Sequence, residues 1–284
     1  MSNTETEKRI KVNGTELFVR DTGEEDLPVV LALHSLFLDG RMFEGFKDAA
    51  AGRYRVIRPD FRGQGRSAAA EGDFIHLDTV TADVIALAEA LGLKRVHLLV
   101  QSMGGDVGFR VAVARPALVK SMIVLGSSAC SEPADQLAVF REWVDNVGRQ
   151  GFVGDVLQET MEIMFGVTTR NDPAKQDIVK LWESRIAEVP KTLRPAMAGV
   201  IERGTAVHLL PQISVPVFIV SGEEDKPRPV PWQDEMAEHL PNATLWRLEK
   251  IGHSPILEAP DVVLPRLLDF LDGVERSGPG TDDS

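Results

Sequence analysis

The stretch Leu98-Leu99-Val100-Gln101-Ser102-Met103-Gly104-Gly105 decides the fold. An apolar strand runs into a serine, two glycines follow, and a helical stretch begins. That order describes a nucleophile elbow, a sharp strand-to-helix turn that lifts a hydroxyl above the edge of a sheet. Gly104 and Gly105 leave room at the turn, where a Cβ would collide with the returning helix. Val100 stands where the motif usually has its first glycine. The alternative role for Ser102 is a helix N-cap, its hydroxyl accepting an N–H near Gly104 or Gly105.

Working outward, strand and helix signals alternate. Arg9–Val12 and Glu16–Arg20, joined by Asn13-Gly14, read as a hairpin. Val29–Leu33 is a continuous apolar run, as expected of a strand buried on both faces. Strands follow at Arg55–Ile57, Val96–Val100, Met122–Leu125, Val217–Val220 and Thr244–Leu248. Helical spacing marks Asp78 to Leu91, Val107 to Ala114 before the stop at Pro116, Trp232 to Leu240, and Val262–Leu271. This alternation predicts an α/β protein with a mostly parallel sheet and helices on both faces. Cys130 to Gln212 breaks the rhythm with helical periodicity and no convincing strand. The expected organisation is a core of residues 8–129 and 212–273, an all-helical cap over 130–211, and flexible tails at 1–7 and 274–284.

The 284 residues are 43% hydrophobic, enough for one large core with an insertion. The formal net charge of -12 disfavours nucleic acid and anionic membrane as partners. One cysteine, Cys130, excludes an internal disulfide and fits a reducing compartment. It reads as a small packed residue, since no motif surrounds it. No leader is evident near Met1, and no apolar run nears the length of a membrane span, so the cytoplasm is the expected location.

An activated serine needs a base, and the base needs an orienting group. Of six histidines, His253 lies in Ile251-Gly252-His253-Ser254-Pro255, between the last strand and the last helix, where a base can reach an elbow serine. His97 starts the elbow's own strand and belongs at the sheet's other end. His76 and His239 read as solvated, and His208 falls in the insertion. Val217–Val220 is followed by Ser221-Gly222-Glu223-Glu224-Asp225, so Asp225 is the expected acid, with Glu223 and Glu224 as alternatives. The order Ser102, Asp225, His253 is the serine–acid–histidine order of one large fold. An oxyanion would be met by the Met103 N–H and by an amide of the loop His34-Ser35-Leu36-Phe37, Leu36 first and Phe37 next. His34 reads as the structural anchor of that loop.

Together these segments resemble the α/β-hydrolase superfamily over roughly residues 8–273, on the serine hydrolase branch. His34-Ser35-Leu36 looks like its oxyanion loop, with Ser35 where glycine is commoner, and Asp60 to Ser67 looks like its turn after the next strand. The resemblance implies an eight-stranded α/β-hydrolase sheet. Within the superfamily the chain is similar to 3-oxoadipate enol-lactonases and small carboxylesterases, through His34-Ser35-Leu36, Asp39, Met42-Phe43 and the Gly222–Asp225 loop. Haloalkane dehalogenases share the valine-glutamine before the nucleophile, but their nucleophile is aspartate.

The expected activity is hydrolysis of a small-molecule carboxylic ester or lactone through an acyl-enzyme, with no metal and no organic cofactor. Non-hydrolytic or carbon–carbon-cleaving chemistry on the same frame (perhydrolysis or cofactor-free dioxygenation), or a slow-turnover receptor, are the alternatives. Phe37, Trp143, Phe165 and Trp182 are expected to shape the substrate pocket, with Phe152, Met161 and Met197 near them. Arg141, Arg149, Arg185, Arg194 and Arg203 are the insertion's candidates for meeting a substrate anion.

Overall fold

The computed structural model describes residues 5–277. Strands β1 (Thr6–Val12) and β2 (Thr15–Asp21) form the hairpin, followed by β3 (Val29–Leu33), helix α1 (Glu44–Ala49) and β4 (Arg55–Pro59). Helix α2 (Leu77–Ala90), β5 (Val96–Gln101), α3 (Met103–Ala114) and β6 (Val119–Leu125) complete the first part. Five helices come next: α4 (Leu137–Gln150), α5 (Gly154–Met164), α6 (Val167–Asn171), α7 (Gln176–Ala187) and α8 (Arg194–Ile201). The chain then returns to β7 (Val217–Gly222), α9 (Val230–His239), β8 (Ala243–Leu248), α10 (Pro255–Glu258) and α11 (Pro260–Arg276).

One eight-stranded sheet runs in the order β1-β2-β4-β3-β5-β6-β7-β8. The β1–β2 and β2–β4 pairs are antiparallel and the others parallel. Every residue of β5 is buried, as helices on both faces require. At one edge, β1 carries exposed Lys8, Arg9 and Lys11, charges that discourage pairing with another chain. Because β3 and β5 to β8 are parallel, the loops after Leu33, Gln101, Leu125, Gly222 and Leu248 all open at one edge of the sheet. This is where open α/β sheets place their ligand sites.

The termini are better ordered than the sequence suggests. Thr6 and Glu7, expected in a flexible tail, pair with Asp21 and Arg20 in the β1–β2 ladder, and Glu5 meets the buried guanidinium of Arg58. At the other end, α11 runs to Arg276 rather than stopping at 273. Its last turn is tied down by Glu275, which accepts from Lys120 Nζ and from His97 Nε2, both at 2.6 Å. Both segments are polar, and it is these cross-chain partners that order them. The rest of the expected tails, 1–4 and 278–284, lies outside the described residues.

Two buried histidines are held neutral. His97 donates to Glu275 and accepts the Ser121 hydroxyl at 2.7 Å, at the sheet end away from the open loops. His34 donates from Nδ1 to the Ser35 carbonyl at 2.7 Å and accepts the Phe61 N–H at Nε2 at 2.9 Å. Burial pushes both below the ordinary histidine value, outweighing the nearby carboxylates. A lowered folded pKa means the unfolded chain takes up the proton first. The contribution of these groups is therefore complete above about pH 6.5 and is lost as pH falls below it. Denaturant titrations should give lower stability at pH 5 than at pH 7, by up to about 1.4 kcal/mol per pH unit per histidine. The difference should shrink in His97→Gln, and an unchanged difference in that variant contradicts the assignment.

Candidate active site

Ser102 adopts φ 52 and ψ -115, a region that a residue with a Cβ enters at a cost of about 1–3 kcal/mol. Its neighbours hold it there. The Ser102 N–H donates to the Leu125 carbonyl at 3.1 Å, and Ser127 Oγ donates to the Ser102 carbonyl at 2.9 Å. The start of α3 is pressed onto the adjoining strands: a methyl on Gly104 would overlap the Leu33 carbonyl, and one on Gly105 would overlap Ser127 Oγ. The two glycines are thus required by close backbone approach. The Ser102 hydroxyl makes no cap bond to α3, which disposes of the N-cap alternative.

The acid and histidine loops converge beside this turn. Asp225 Oδ1 lies 2.9 Å from His253 Nδ1 and also accepts the Arg228 N–H at 2.9 Å. Since a carboxylate only accepts, Nδ1 carries the proton and Nε2 is the basic nitrogen. The side chains of both residues are buried. Gln101, adjacent to Ser102, donates to the His253 carbonyl at 3.1 Å and to Ser254 Oγ at 3.2 Å. A methyl on Gly126, just past β6, would overlap the His253 carbonyl and approach Asp225 Oδ2 to 3.1 Å. Residues 101, 126, 225 and 253 therefore meet at one place.

The two glutamates weighed against Asp225 go elsewhere. Glu223 is exposed. Glu224 turns to the insertion, where it accepts the Thr168 N–H at 2.8 Å and the Thr168 hydroxyl at 2.5 Å in the first turn of α6. A third carboxylate, buried Glu258, accepts the Gly252 N–H at 3.0 Å, the Ser254 N–H at 2.9 Å and the Gly166 N–H at 3.0 Å. It thereby clamps both sides of His253 and joins them to the chain between α5 and α6.

The loop after β3 turns at Ser35–Leu38, closed by the Leu38 N–H on the Ser35 carbonyl at 3.3 Å, with Phe37 at φ 70. Among the described residues the Leu36 N–H meets no protein acceptor. Phe37 packs edge-on to Trp143 and Phe152, each with ring centres 5.7 Å away. With Trp182 it also lines a cleft of about 450 Å³ that reaches Gln64. Gln64 in turn lies 3.3 Å from the sulfur of Met103. Phe165 is fully buried, its main chain pressed against Gly252.

Beneath the acid loop sits a buried ion cluster that the sequence did not disclose. Asp106 of α3 lies 3.3 Å from Arg203 and 3.6 Å from Arg228, and Glu132 lies 2.7 and 3.1 Å from the same two arginines. Two cations face two anions, which offsets the cost of desolvating them. Arg228 is signalled only by its place three residues after Asp225, the reach of a cap-like bond from a side-chain oxygen to a backbone N–H. Gln101 and Glu258 leave no such signal. Of the remaining sequence candidates, His76, His208 and His239 are exposed. Cys130 is half-buried, its thiol 3.2 Å from Glu235 and pushed up to about 12 by burial and that carboxylate. Among the described residues no cluster suited to a metal ion occurs, and no helix is long and apolar enough to cross a membrane.

The chain is similar to known proteins in sequence and in fold. The magnesium-chelatase 30 kDa subunit of Rhodobacter capsulatus is 26% identical over 93% of this chain and 94% of its own. A thermophilic esterase from Thermogutta terrifontis, solved with malate bound, superposes with a TM-score of 0.84 at 28% identity, covering 94% of this chain and 99% of its own. The enol-lactonase from Burkholderia xenovorans LB400 superposes equally well, with a TM-score of 0.84 over 93% of this chain and 100% of its own, and at 22% identity it speaks to the fold alone. The family model for the alpha/beta hydrolase fold matches residues 28–260. With that match and the eight-stranded sheet, the chain belongs to the alpha/beta hydrolase family.

Proposed function

We propose that this chain hydrolyses a carboxylic ester or lactone through an acyl-enzyme on Ser102. The observation that carries the reading is the 2.9 Å bond from His253 Nδ1 to Asp225, which fixes the imidazole tautomer beside a strained serine whose hydroxyl caps nothing. Ser102 Oγ attacks the carbonyl carbon while His253 Nε2 takes its proton. Asp225 stabilises the resulting imidazolium and holds its orientation. The Leu36 and Met103 N–H groups meet the oxyanion, Met103 from the first turn of α3, where the helix dipole adds to its donor. His253 then gives the proton to the leaving alkoxide, which in a lactone remains tethered to the acyl group. Water, deprotonated by His253, releases the acid and restores the serine. The helical insertion caps the site, and Phe37, Trp143, Phe165 and Trp182 shape the pocket beneath it. The esterase relative supports this activity, while the differently named chelatase subunit argues against carrying over any one substrate.

Ser102→Ala should lower kcat on p-nitrophenyl acetate by a factor on the order of 10⁶. Undiminished turnover in that variant refutes the nucleophile. Asp225→Asn should cost about 10⁴ in kcat through the wrong imidazole tautomer. Glu224→Gln, which alters only the tie to Thr168, should stay within about tenfold of the parent on the same ester, because a substitution outside the relay leaves the tautomer intact. The reverse ranking of these two variants would overturn the choice of acid.

A further inference from the structure

We propose that the cleft between the Phe37 loop and α7 binds a carboxylate, so that the preferred substrates are esters or lactones bearing a second, ionised carboxyl group. The proposal rests on the reading of Ser102 as nucleophile and narrows its substrate class. It starts from an imbalance among the insertion's arginines. Arg141 pairs with Glu202, Arg194 with Asp145 at 2.7 Å, and Arg203 with Glu132 at 2.7 Å, while Arg149 reaches Asn146 at 2.5 Å. Arg170 faces Glu162 at 3.7 Å, and Arg185 is the exception: among the described residues its guanidinium makes neither an ion pair nor a hydrogen bond. It lies over the Trp182 ring, 4.7 Å from its centre, which leaves the guanidinium edge free to donate.

Trp182 supplies the second observation. It lines the same cleft and is 1% exposed, and its indole N–H has no acceptor among the described residues. A buried donor without a partner is destabilising, and a bound acceptor recovers that cost. A carboxylate oxygen suits both this neutral donor and the adjacent cation.

The anions already on the cleft wall do not fill this role. Asp39 is held by Arg41 at 2.6 Å, Glu7 by Arg66 at 2.7 Å, and Glu44 by Arg58 at 2.7 Å, with Glu5 also on Arg58. Glu188 is exposed. Burial and then the neighbouring Arg41 disfavour the charge of Arg185, more than Asp39 and Glu44 favour it from a distance, and an incoming anion offsets both. The cleft also points toward the chemistry. Its wall includes Phe37, next to Leu36, and Gln64, in contact with the Met103 sulfur, so it neighbours both residues whose amides are assigned to the oxyanion.

The test compares monoethyl glutarate, adipate and pimelate with the ethyl esters of the matching monocarboxylic acids. The wild-type chain should favour the anionic ester in kcat/KM for at least one length. Arg185→Met should reduce that preference by about 10- to 100-fold, mainly through KM, as loss of one charge-assisted contact requires. Trp182→Phe, which keeps the ring and removes the N–H, should reduce it by a smaller factor. Preference for the neutral ester at every length, or equal losses on both esters in Arg185→Met, overturns the proposal. Arg185→Gln serves if the methionine variant does not fold. Turnover surviving in Ser102→Ala would refute the nucleophile instead. In that case calorimetric binding of glutarate to the wild-type chain, weakened in Arg185→Met, still decides whether the cleft takes a carboxylate.

Discussion

The backbone of Ser102 is the constraint on which the rest depends. A residue with a Cβ is held at φ 52 because β3 and β6 leave it no other course. The Leu125 carbonyl takes its N–H, Ser127 holds its carbonyl, and the Leu33 and Ser127 atoms beside Gly104 and Gly105 exclude any side chain there. The strain is offset by the packing of α3 onto a sheet whose central strand is wholly buried. A relaxed turn would let the hydroxyl fold back as a helix cap. Held as it is, the hydroxyl is free for other chemistry.

Around this turn the loops are pinned by buried carboxylates. Glu258 collects three N–H groups, two from the His253 loop and one from Gly166, and Glu224 caps α6. The insertion and the histidine loop therefore share anchors, so displacement of one strains the other. The Asp106–Glu132–Arg203–Arg228 cluster does the same for the acid loop, joining α3, both ends of the insertion and the residue that donates to Asp225. Such a cluster adds little net stability compared with apolar packing, but losing one member leaves an uncompensated buried charge. It specifies one arrangement of the loops.

What was legible in the sequence was the chemistry that announces itself locally. Ser102 follows an apolar run and precedes two glycines, and His253 and the acidic run Glu223–Asp225 stand on loops after apolar strands, so residue type and position single these stretches out as candidates. The doubly buried strands read directly from their unbroken apolar runs. What stayed hidden depends on distant partners. Gln101 meets His253 across 152 positions and Gly166 meets Glu258 across 92, and no local pattern encodes either. The choice among Glu223, Glu224 and Asp225 likewise needed the position of Thr168. The polar ends misled for a related reason. An edge strand with charged side chains looks like a tail until Asp21 and Arg58 are seen to hold it. Which arginine of the insertion stands unpaired was equally invisible without the others' partners.

The most direct test of the central claim, that Ser102 is made nucleophilic by His253 and Asp225 at this turn, is covalent labelling with a fluorophosphonate followed by peptide mass spectrometry. The account predicts one adduct per chain, on Ser102 with loss of fluoride, formed by the folded protein and abolished by His253→Ala. A folded chain that remains unlabelled, or carries its adduct on another serine, contradicts it.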